Sequence, residues 1–357
     1  MTDHRLNKSF VRIGDRKVGF GRPAFVVAEL SANHRHDFNL AVKTIQAAKK
    51  AGADAIKLQT YTPDTMTVNC QNRRFRVGKN TLWAGKSLYQ LYQEAYTPWE
   101  WHARLKRLAE NLGLVFFSTP FDKSATDFLE QLKVPVYKIA SLEIVDIPLI
   151  EYVAKKGKPM MISTGIATLN DVREAVNACK RVGNNQIVLL KCTSSYPTPL
   201  EEANLRSMEY LAKKFRTVVG ISDHTMGTEV SVAAVALGAK VVERHFIYDR
   251  KVGGPDAAFS LEPLEFKSMV QSIRKVETAM GCWEYKRSKS MKDAQRYARS
   301  LFAVQDIEKG KLLTADNVKS IRPGGGLQPI YLTKVLHKEA KVHIKKGTPL
   351  QWKMILQ

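Results

Sequence analysis

The sequence predicts an α/β fold in which a (β/α)8 barrel is followed by a small β-rich module. Eight apolar segments rich in β-branched residues recur between residues 25 and 246. The stretches between them carry apolar residues at three- and four-residue spacing, which is the pattern of amphipathic helices. Beyond residue 282 this alternation stops, and a polar, basic stretch leads into short strands and turns. These three observations predict a chain of two parts.

The eight candidate strands are nearly continuous in apolar residues, which is typical of parallel strands buried on both faces. Helix-like stretches such as NLAVKTIQAAKKAGA and TLNDVREAVNACKRVG separate them, with a glycine near the end of each. Eight strand–helix units in about 250 residues match a (β/α)8, or TIM, barrel. A doubly wound sheet is the alternative, but it offers no reason for eight strands. The candidate strands are 25–30, 55–61, 114–121, 136–141, 160–165, 187–194, 218–224 and 240–246.

The connection between the second and third strands is unusually long. It spans 62–98 and is rich in aromatic residues. Long insertions in compact domains are commonly functional, and this one follows a strand, on the face where barrel active sites form. We therefore expect a catalytic barrel over 1–281, a polar linker over 282–299 and the β-rich module over 300–357.

Composition favours an intracellular globular protein. The four cysteines are scattered, with no CxxC pair and no zinc spacing, which excludes a disulfide scaffold and fits a reducing cytosol. The first ten residues lack the apolar region of a signal peptide. The longest apolar run, 230–239, is far shorter than the roughly 20 residues of a membrane span. We expect a cytoplasmic protein with no membrane partner.

The formal net charge is +22, and the last fifth of the chain carries almost half of the excess. A basic surface of this kind could bind nucleic acid, which leaves a nucleic-acid-binding protein as a remote alternative. It could equally concentrate anionic substrates near a cleft or be a solvated surface. Because no helix-turn-helix or zinc-finger pattern accompanies the charge, we expect no nucleic-acid partner.

Polar residues at the carboxyl ends of the strands indicate the site, since the eight loops of a barrel converge there. Lys57 and Lys138 lie within apolar strands, where a lysine is rarely tolerated without a partner. Lysine and hydroxyl groups together suit an anionic ligand. The hydroxyl-bearing strand ends include Thr119, Ser141, Ser163, Ser194 and Ser222.

His224 and His245 end adjacent candidate strands, which lie about 5 Å apart in a sheet. Two imidazoles there could share one divalent ion, although either alone could be a core histidine. With oxygen ligands otherwise, Mn²⁺ or Mg²⁺ fits better than a closed zinc site. Glu29 could ligate the ion or deprotonate a water bound to it. Asp256 lies on the loop GGPDAAFSLEP after the eighth strand, where it could also be a turn-capping residue.

Eight ordered sequence blocks resemble the sialic acid synthase family over nearly the whole chain. They include AELSANH, KLQTYTPDT, FFSTPFD, LKCTSSYPTP, GISDHT and ERHF, and the module with IRPGGGL resembles the antifreeze-like (SAF, β-clip) domain of that family. The resemblance implies a phosphoenolpyruvate-dependent, C–C bond-forming transferase. Such enzymes condense phosphoenolpyruvate with an N-acetylated sugar to give a nine-carbon ulosonic acid and phosphate.

The segments NHRHD, LWAGKSLYQLYQEAYTPWEW and KVGGPDAAFSLEP resemble the branch that makes pseudaminic acid. That resemblance implies 2,4-diacetamido-2,4,6-trideoxy-altropyranose as the sugar, and a role in surface polysaccharide synthesis or flagellin glycosylation. The N-acetylneuraminate and legionaminic acid branches are the alternatives.

The resemblance also implies a role for each matching residue, including a divalent metal held by His224 and His245. It implies that the module lends Arg322 to the barrel of its partner, and therefore a domain-swapped homodimer. The implied catalytic residues are Glu29, Lys57, Lys138 and Glu143. The implied phosphoenolpyruvate contacts are Lys57, Thr119, Lys138, Ser141, Ser163, Ser194 and Ser222. The implied sugar contacts are Gln59, Glu143, Tyr196, Asp256 and Arg322.

Overall fold

The computed structural model describes residues 10–78, 81–281 and 285–356. The first nine residues, predicted not to form a signal peptide, and 282–284, the start of the predicted linker, lie outside the described residues. The chain divides into two compact units, Met1–Gly281 and Cys282–Gln357. No helix in the described part of the chain is long and apolar enough to cross a bilayer.

An antiparallel hairpin, β1 and β2, precedes the barrel in the first unit. Its strands are Phe10–Ile13 and Arg16–Gly19. Gly14 lies in the turn with a φ of +56°, a backbone conformation that side chains with a Cβ rarely adopt. Val11, Ile13 and Val18 pack into the barrel core. The strand–helix alternation did not predict this hairpin, because it lies before the first repeat.

Eight parallel strands close into a barrel in the order β10-β3-β4-β5-β6-β7-β8-β9. Because each strand is apolar on both faces, one face packs in the barrel and the other against the helices. The predicted (β/α)8 fold is confirmed. The strands are β3 Phe25–Glu29, β4 Ala55–Thr60, β5 Val115–Pro120, β6 Tyr137–Ile139, β7 Met160–Ser163, β8 Ile187–Cys192, β9 Val218–Asp223 and β10 Val241–His245.

The helices of the first unit begin at polar caps that satisfy free backbone amides. Asp37 accepts hydrogen bonds at the start of α1, and Thr168 forms a capping box with Asp171 at the start of α7. The helices are α1 Phe38–Lys50, α2 Pro63–Met66, α3 Leu88–Ala95, α4 Trp99–Asn111, α5 Lys123–Gln131, α6 Ile147–Ala154, α7 Leu169–Arg181, α8 Ser207–Phe215, α9 Glu229–Ala236 and α10 Pro263–Met280.

The long insertion after β4 folds into α2, a 3-10 turn at Arg73–Phe75, and α3. Trp83 anchors it to the loop after β10, because its indole Nε1 donates a hydrogen bond to the Pro255 carbonyl at 2.8 Å. Tyr89 ties α3 to α2 through a 3.1 Å hydrogen bond to Asp64. The insertion is therefore attached to the carboxyl-end face of the barrel.

The second unit has a core of its own that includes Leu301, Val318 and Leu350. Two antiparallel strands, β11 Ser300–Ala303 and β12 Val318–Ile321, pair within it. It also contains two short helices, α11 Lys289–Ala294 and α12 Leu332–Val335. Helix α11 lies within the predicted linker, so that segment is shorter than a fully extended chain.

Candidate active site

Four charged side chains meet at the carboxyl-end face of the barrel. Lys57 forms an ion pair with Glu29 and lies 3.8 Å from Glu243 Oε1, and Lys138 lies 3.3 Å from the same oxygen. Each of the four residues is 5% exposed or less. Their strands place them there, because Glu29 and Lys57 are register partners on β3 and β4, and β10 lies on the other side of β3.

Burial and mutual attraction set the protonation of this four-charge cluster. Burial lowers the pKa of Lys57, but Glu243 and Glu29 raise it more, so its pKa lies above the usual value. Burial raises the pKa of Glu243, but the two lysines outweigh it and leave the pKa below the usual value. For Glu29 burial dominates, and its pKa is raised despite the attraction of Lys57. The shifts thus favour an ammonium group at Lys57 and a carboxylate at Glu243, and they leave Glu29 able to exchange a proton near neutral pH.

Predicted hydroxyl contacts surround the cluster. Thr119 Oγ1 accepts a hydrogen bond from Lys57 Nζ at 3.3 Å, and Ser222 donates to Glu243 at 3.1 Å. Ser163 Oγ is buried without a hydrogen-bond partner among the described residues. A buried hydroxyl without a partner costs free energy that an anionic ligand would recover.

The remaining two predicted hydroxyls bond each other, since Ser141 Oγ and Ser194 Oγ lie 2.7 Å apart. Gly165 lies directly against them. A Cβ added at Gly165 would come within 2.3 Å of Ser194 Oγ and 2.4 Å of Ser141 Oγ. Its backbone φ is not in the left-handed region, so close approach and not conformation requires a glycine at this position.

The two predicted metal ligands face each other, with 5.3 Å between the ring centroids of His224 and His245. Nδ1 of His224 lies 3.1 Å from the Thr193 carbonyl oxygen. Because a carbonyl only accepts, Nδ1 carries the proton and Nε2 keeps its lone pair. His245 Nδ1 is buried, has no hydrogen-bond partner in the described part of the chain, and lies 3.6 Å from Asp256 Oδ2.

Both imidazoles are held in the neutral form that binds metals. Burial lowers the pKa of His224 to about 4. Burial and the neighbouring His224 lower the pKa of His245 well below its usual value. No group of three or more side chains with metal-binding geometry occurs among the described residues. Two neutral imidazoles therefore fit an ion whose other ligands are water and substrate, and they do not fit a closed structural site.

The predicted sugar contacts flank this histidine pair. The Tyr196 ring lies 4.4 Å from that of His224 and 6.0 Å from that of Trp83. Asp256 accepts a hydrogen bond from the Ser31 hydroxyl. Burial raises the pKa of Glu143 to about 7, and its Oε2 has no partner among the described residues. Gln59 lies near the end of β4, half-buried.

A cavity of about 670 Å³ opens beside Trp83, between the insertion and the loops after β3 and β10. Both cationic and apolar side chains line it, including Arg35, Lys86 and Leu82. Since Trp83 also contacts Tyr196, the cavity adjoins the predicted sugar contacts. A small organic ligand buries most of its surface in a cavity of this size.

Comparisons with known proteins agree with this geometry. The NeuB family model matches residues 44–285, and the SAF domain model matches residues 298–356. The chain belongs to the NeuB family. It is 46% identical to the pseudaminic acid synthase of Helicobacter pylori, covering 92% of this chain and 97% of that protein. It is 44% identical to the pseudaminic acid synthase of Campylobacter jejuni serotype O:2, covering 92% and 96%.

Among solved structures, the N-acetylneuraminic acid synthetase of Leptospira borgpetersenii in complex with citrate superposes with a TM-score of 0.73. It is 30% identical, covering 81% of this chain and 96% of that one. The family resemblance predicted from the sequence is therefore confirmed, as is the SAF domain after the barrel.

One predicted site residue of this NeuB family chain lies apart from the others along the chain. Arg322 follows β12 directly in the second unit, and its side chain is exposed. Its role beside the sugar stays a prediction.

Two residues that the sequence did not assign belong to the site. Glu243 stands at the end of β10, and both lysines pair with it. The sequence contained evidence for Glu243, because two buried lysines need more than the single negative charge of Glu29. Gly165 gave no signal, since only the folded chain brings Ser141 and Ser194 to it.

Some polar strand ends point away from the site. Arg244 pairs with Asp223 at 2.7 Å and donates to the Thr225 carbonyl at 2.8 Å. Side chains alternate between the faces of a strand, so Arg244 lies on the face of β10 opposite to Glu243 and His245. This pair stabilises the barrel wall.

Proposed function

We propose that the chain condenses phosphoenolpyruvate with 2,4-diacetamido-2,4,6-trideoxy-altropyranose to give pseudaminic acid and phosphate. The observation that carries the proposal is the buried cluster of Lys57, Lys138, Glu29 and Glu243 beside the histidine pair. The names of relatives at 44–46% identity supply the choice of sugar.

Phosphoenolpyruvate carries a phosphate and a carboxylate, and both need cationic and hydroxyl partners. Lys57 and Lys138 offer two ammonium groups within a ring of five hydroxyls. The ammonium groups hold the two anions and form no Schiff base. Gly165 leaves the Ser141–Ser194 pair open to a ligand, because no Cβ fills the space. The anion replaces water in a buried site, where charge-assisted hydrogen bonds are strong.

A divalent ion, Mn²⁺ or Mg²⁺, held by His224 and His245 would supply Lewis-acid activation of the sugar carbonyl. The two neutral imidazoles and the unpartnered His245 Nδ1 support this assignment. Asp256 places a carboxyl group 3.6 Å from His245 Nδ1.

The C2–C3 π electrons of phosphoenolpyruvate form the bond from C3 to the carbonyl carbon of the open-chain sugar, and the carbonyl oxygen becomes an alkoxide. C2 becomes electron-poor and a water molecule adds to it, and the Glu29 carboxylate takes one proton of that water and passes a proton to the alkoxide. The tetrahedral centre at C2 then loses phosphate by C–O cleavage, and the proton of its hydroxyl leaves with the phosphate as the C2 ketone forms. Glu29 suits this step because burial raises its pKa towards neutrality, where a general base is most effective.

The sugar occupies the space between the histidine pair and the insertion. Glu143, Gln59 and Asp256 supply polar contacts, and Tyr196 and Trp83 supply aromatic surface. An aromatic wall suits a sugar with no 6-hydroxyl and two acetamido groups, because less polar surface needs a partner.

The active form is a domain-swapped homodimer in the cytoplasm, in which Arg322 reaches the sugar site of the partner. Exposed apolar side chains on the loops after four consecutive strands, β6 to β9, support a partner at the barrel mouth. Exposed apolar patches of this kind mark interaction surfaces. These side chains are Leu142, Val145, Ile166, Leu200 and Met226. The product class suits surface glycans such as polysaccharide or glycosylated flagellin.

Phosphate release tests the proposed function directly. The protein is incubated with phosphoenolpyruvate, Mn²⁺ and one acetamido sugar at a time, and the nine-carbon product is identified by mass. We expect the diacetamido altro sugar to give the highest kcat/KM, since a site that pairs polar groups discriminates against analogues that leave them unpaired. Preference for N-acetylmannosamine would refute the substrate and keep the family. No phosphate release with any sugar would refute the activity.

A further inference from the structure

A second cavity lies at the opposite end of the barrel, between α7 and α8. It has a volume of about 420 Å³, and we call it the α7–α8 cavity. Its floor includes the first residue of β8, Ile187, whereas the active site lies at the carboxyl ends of the strands. Cys192 lies five positions after Ile187 on β8, which corresponds to roughly 17 Å along the strand. A ligand in this cavity would therefore not touch the active site.

Four cations line the α7–α8 cavity, and none of its lining residues is acidic. Lys180, Lys214 and Arg216 form no ion pair with a described carboxylate, and Arg173 donates only to the neutral Asn170 side chain. All four side chains are exposed. Like charges grouped around one concavity repel one another and attract an anion.

The cations next to them in sequence behave differently. Arg181 pairs with Glu151 at 2.8 Å, and Lys213 pairs with Glu209 at 2.6 Å. Arg181 follows Lys180 in the sequence, and Lys213 precedes Lys214. At the ends of α7 and α8, the two cations that do not line the cavity therefore form ion pairs, whereas the two that line it form none with a described carboxylate. A uniformly basic surface would not produce this division.

The floor of the cavity adds an independent feature. Thr217 is 8% exposed, and its hydroxyl has no hydrogen-bond partner among the described residues. An unpartnered buried hydroxyl is costly unless a ligand or water binds it. Val176, Ile187 and Phe215 surround it with buried apolar surface.

We propose that the α7–α8 cavity binds a small phosphate-bearing anion. The four cations neutralise the phosphates, the Thr217 hydroxyl donates to an oxygen, and the apolar floor accepts the uncharged part of the ligand. Either inorganic polyphosphate or a nucleotide presents this chemistry. This proposal is independent of the reaction at the active site.

Calorimetric titration with pyrophosphate tests the charge requirement. The cavity variant carries Arg173→Gln, Lys180→Gln, Lys214→Gln and Arg216→Asn, since asparagine tolerates the left-handed φ of 55° at residue 216. The control variant loses four exposed lysines that do not line this cavity, by Lys49→Gln, Lys155→Gln, Lys275→Gln and Lys311→Gln. We expect the cavity variant to bind at least about tenfold more weakly and the control within about twofold of the wild type.

Equal weakening in both variants would overturn the proposal, because general attraction would then explain binding. An affinity of the cavity variant for pyrophosphate equal to that of the wild type would also overturn the proposal, because the anion would then occupy another site. Phosphate release from the synthase reaction should be unchanged in the cavity variant. Because pyrophosphate binding is measured separately from phosphate release, the binding result can be interpreted even if the proposed function is wrong.

Thr217→Val tests the floor without changing any charge. Since the hydroxyl has no hydrogen bond to another described residue, the melting temperature should stay the same or rise, while pyrophosphate binds several-fold more weakly. Unchanged affinity would overturn the assignment of this hydroxyl to the ligand.

Titrations with ADP and CDP distinguish the two sources of phosphate. Tighter binding than pyrophosphate identifies a nucleotide whose base packs on the apolar floor, and equal binding identifies the phosphates alone. Binding of a single-stranded oligonucleotide with none of the small anions would overturn the proposal in favour of nucleic acid.

Discussion

The imidazole rings of His224 and His245 lie 5.3 Å apart at the ends of two neighbouring strands, and both are neutral. We predict that chelation abolishes phosphate release and that Mn²⁺ or Mg²⁺ restores it. His245→Ala should lose both bound metal, measured by elemental analysis, and turnover. The variant should remain folded with a lower melting temperature, because it loses the packing of a ring whose centroid lies 4.9 Å from that of Phe259 and 5.3 Å from that of His224. Full activity in excess chelator would contradict the metal role.

Lys138→Ala should weaken phosphoenolpyruvate binding by about 2–3 kcal/mol, which is the range for a lost charge-assisted hydrogen bond. Its ammonium group lies 3.3 Å from Glu243 at the buried cluster. The KM for phosphoenolpyruvate should therefore rise and the KM for the sugar should not. Lys158→Ala is the matched control, since that lysine pairs with Glu130 outside the barrel. A changed sugar KM alone would move Lys138 out of the anion site.

Gly165→Ala should abolish phosphoenolpyruvate binding. The added Cβ would overlap the Ser141 and Ser194 hydroxyls and fill the space beside them. Gly78→Ala is the control, because the nearest atom to a Cβ there is 3.9 Å away. Wild-type affinity in Gly165→Ala would show that the anion lies elsewhere.

The barrel followed from the sequence because it obeys local rules, and the lysine, histidine and hydroxyl candidates were polar residues at strand ends. The roles of the site residues came from the family resemblance and stay predictions. Continuous apolar strands such as 187–194 predict parallel pairing, and polar residues at their ends converge in a closed barrel. Glu243 was missed because its importance comes from a pairing across the barrel. The β1–β2 hairpin and Gly165 were missed because neither carries a periodic pattern, and contacts distant in sequence define both.

The α7–α8 cavity illustrates the same limit. Lys180 and Arg181 are adjacent cations in the sequence, and nothing local separates them. Only the folded chain brings Glu151 to Arg181 and leaves Lys180 beside Lys214. The sequence therefore gives the net charge of +22 but not how that charge is distributed over the folded surface. A role could be proposed for these four cations only from the structure.

The buried carboxyl group of Glu143 should make the free energy of unfolding depend on pH. Burial raises its pKa in the folded protein to about 7 from an ordinary value of 4.5, so the unfolded chain loses its proton first as pH rises. The folded state is then destabilised progressively between about pH 4.5 and 7, by up to about 3 kcal/mol at 1.36 kcal/mol per pKa unit. Glu143→Gln removes this loss.

Urea unfolding at pH 5 and pH 8 measures the effect. The difference in unfolding free energy between Glu143→Gln and the wild type should favour the variant at pH 8 and be small at pH 5. Glu174→Gln, at an exposed position on α7, is the control and should show no such change. The same difference at both pH values would mean that Glu143 is ionised in the folded protein throughout this range.

If Arg322 acts in the site of the partner subunit, two inactive variant chains should complement each other. Its guanidinium can donate hydrogen bonds to acetamido carbonyl oxygens, and its exposed position after β12 leaves it free to do so. Arg322→Ala and His245→Ala should each be inactive alone. In a mixed dimer with swapped modules, one site combines an intact histidine pair with an intact arginine. About half of wild-type activity per dimer is expected in the doubly tagged fraction, because every dimer there is mixed and has one complete site of two. Mixing is verified with two affinity tags, and activity is measured as phosphate release from the doubly tagged fraction. An inactive doubly tagged fraction would mean that the arginine serves its own barrel or none.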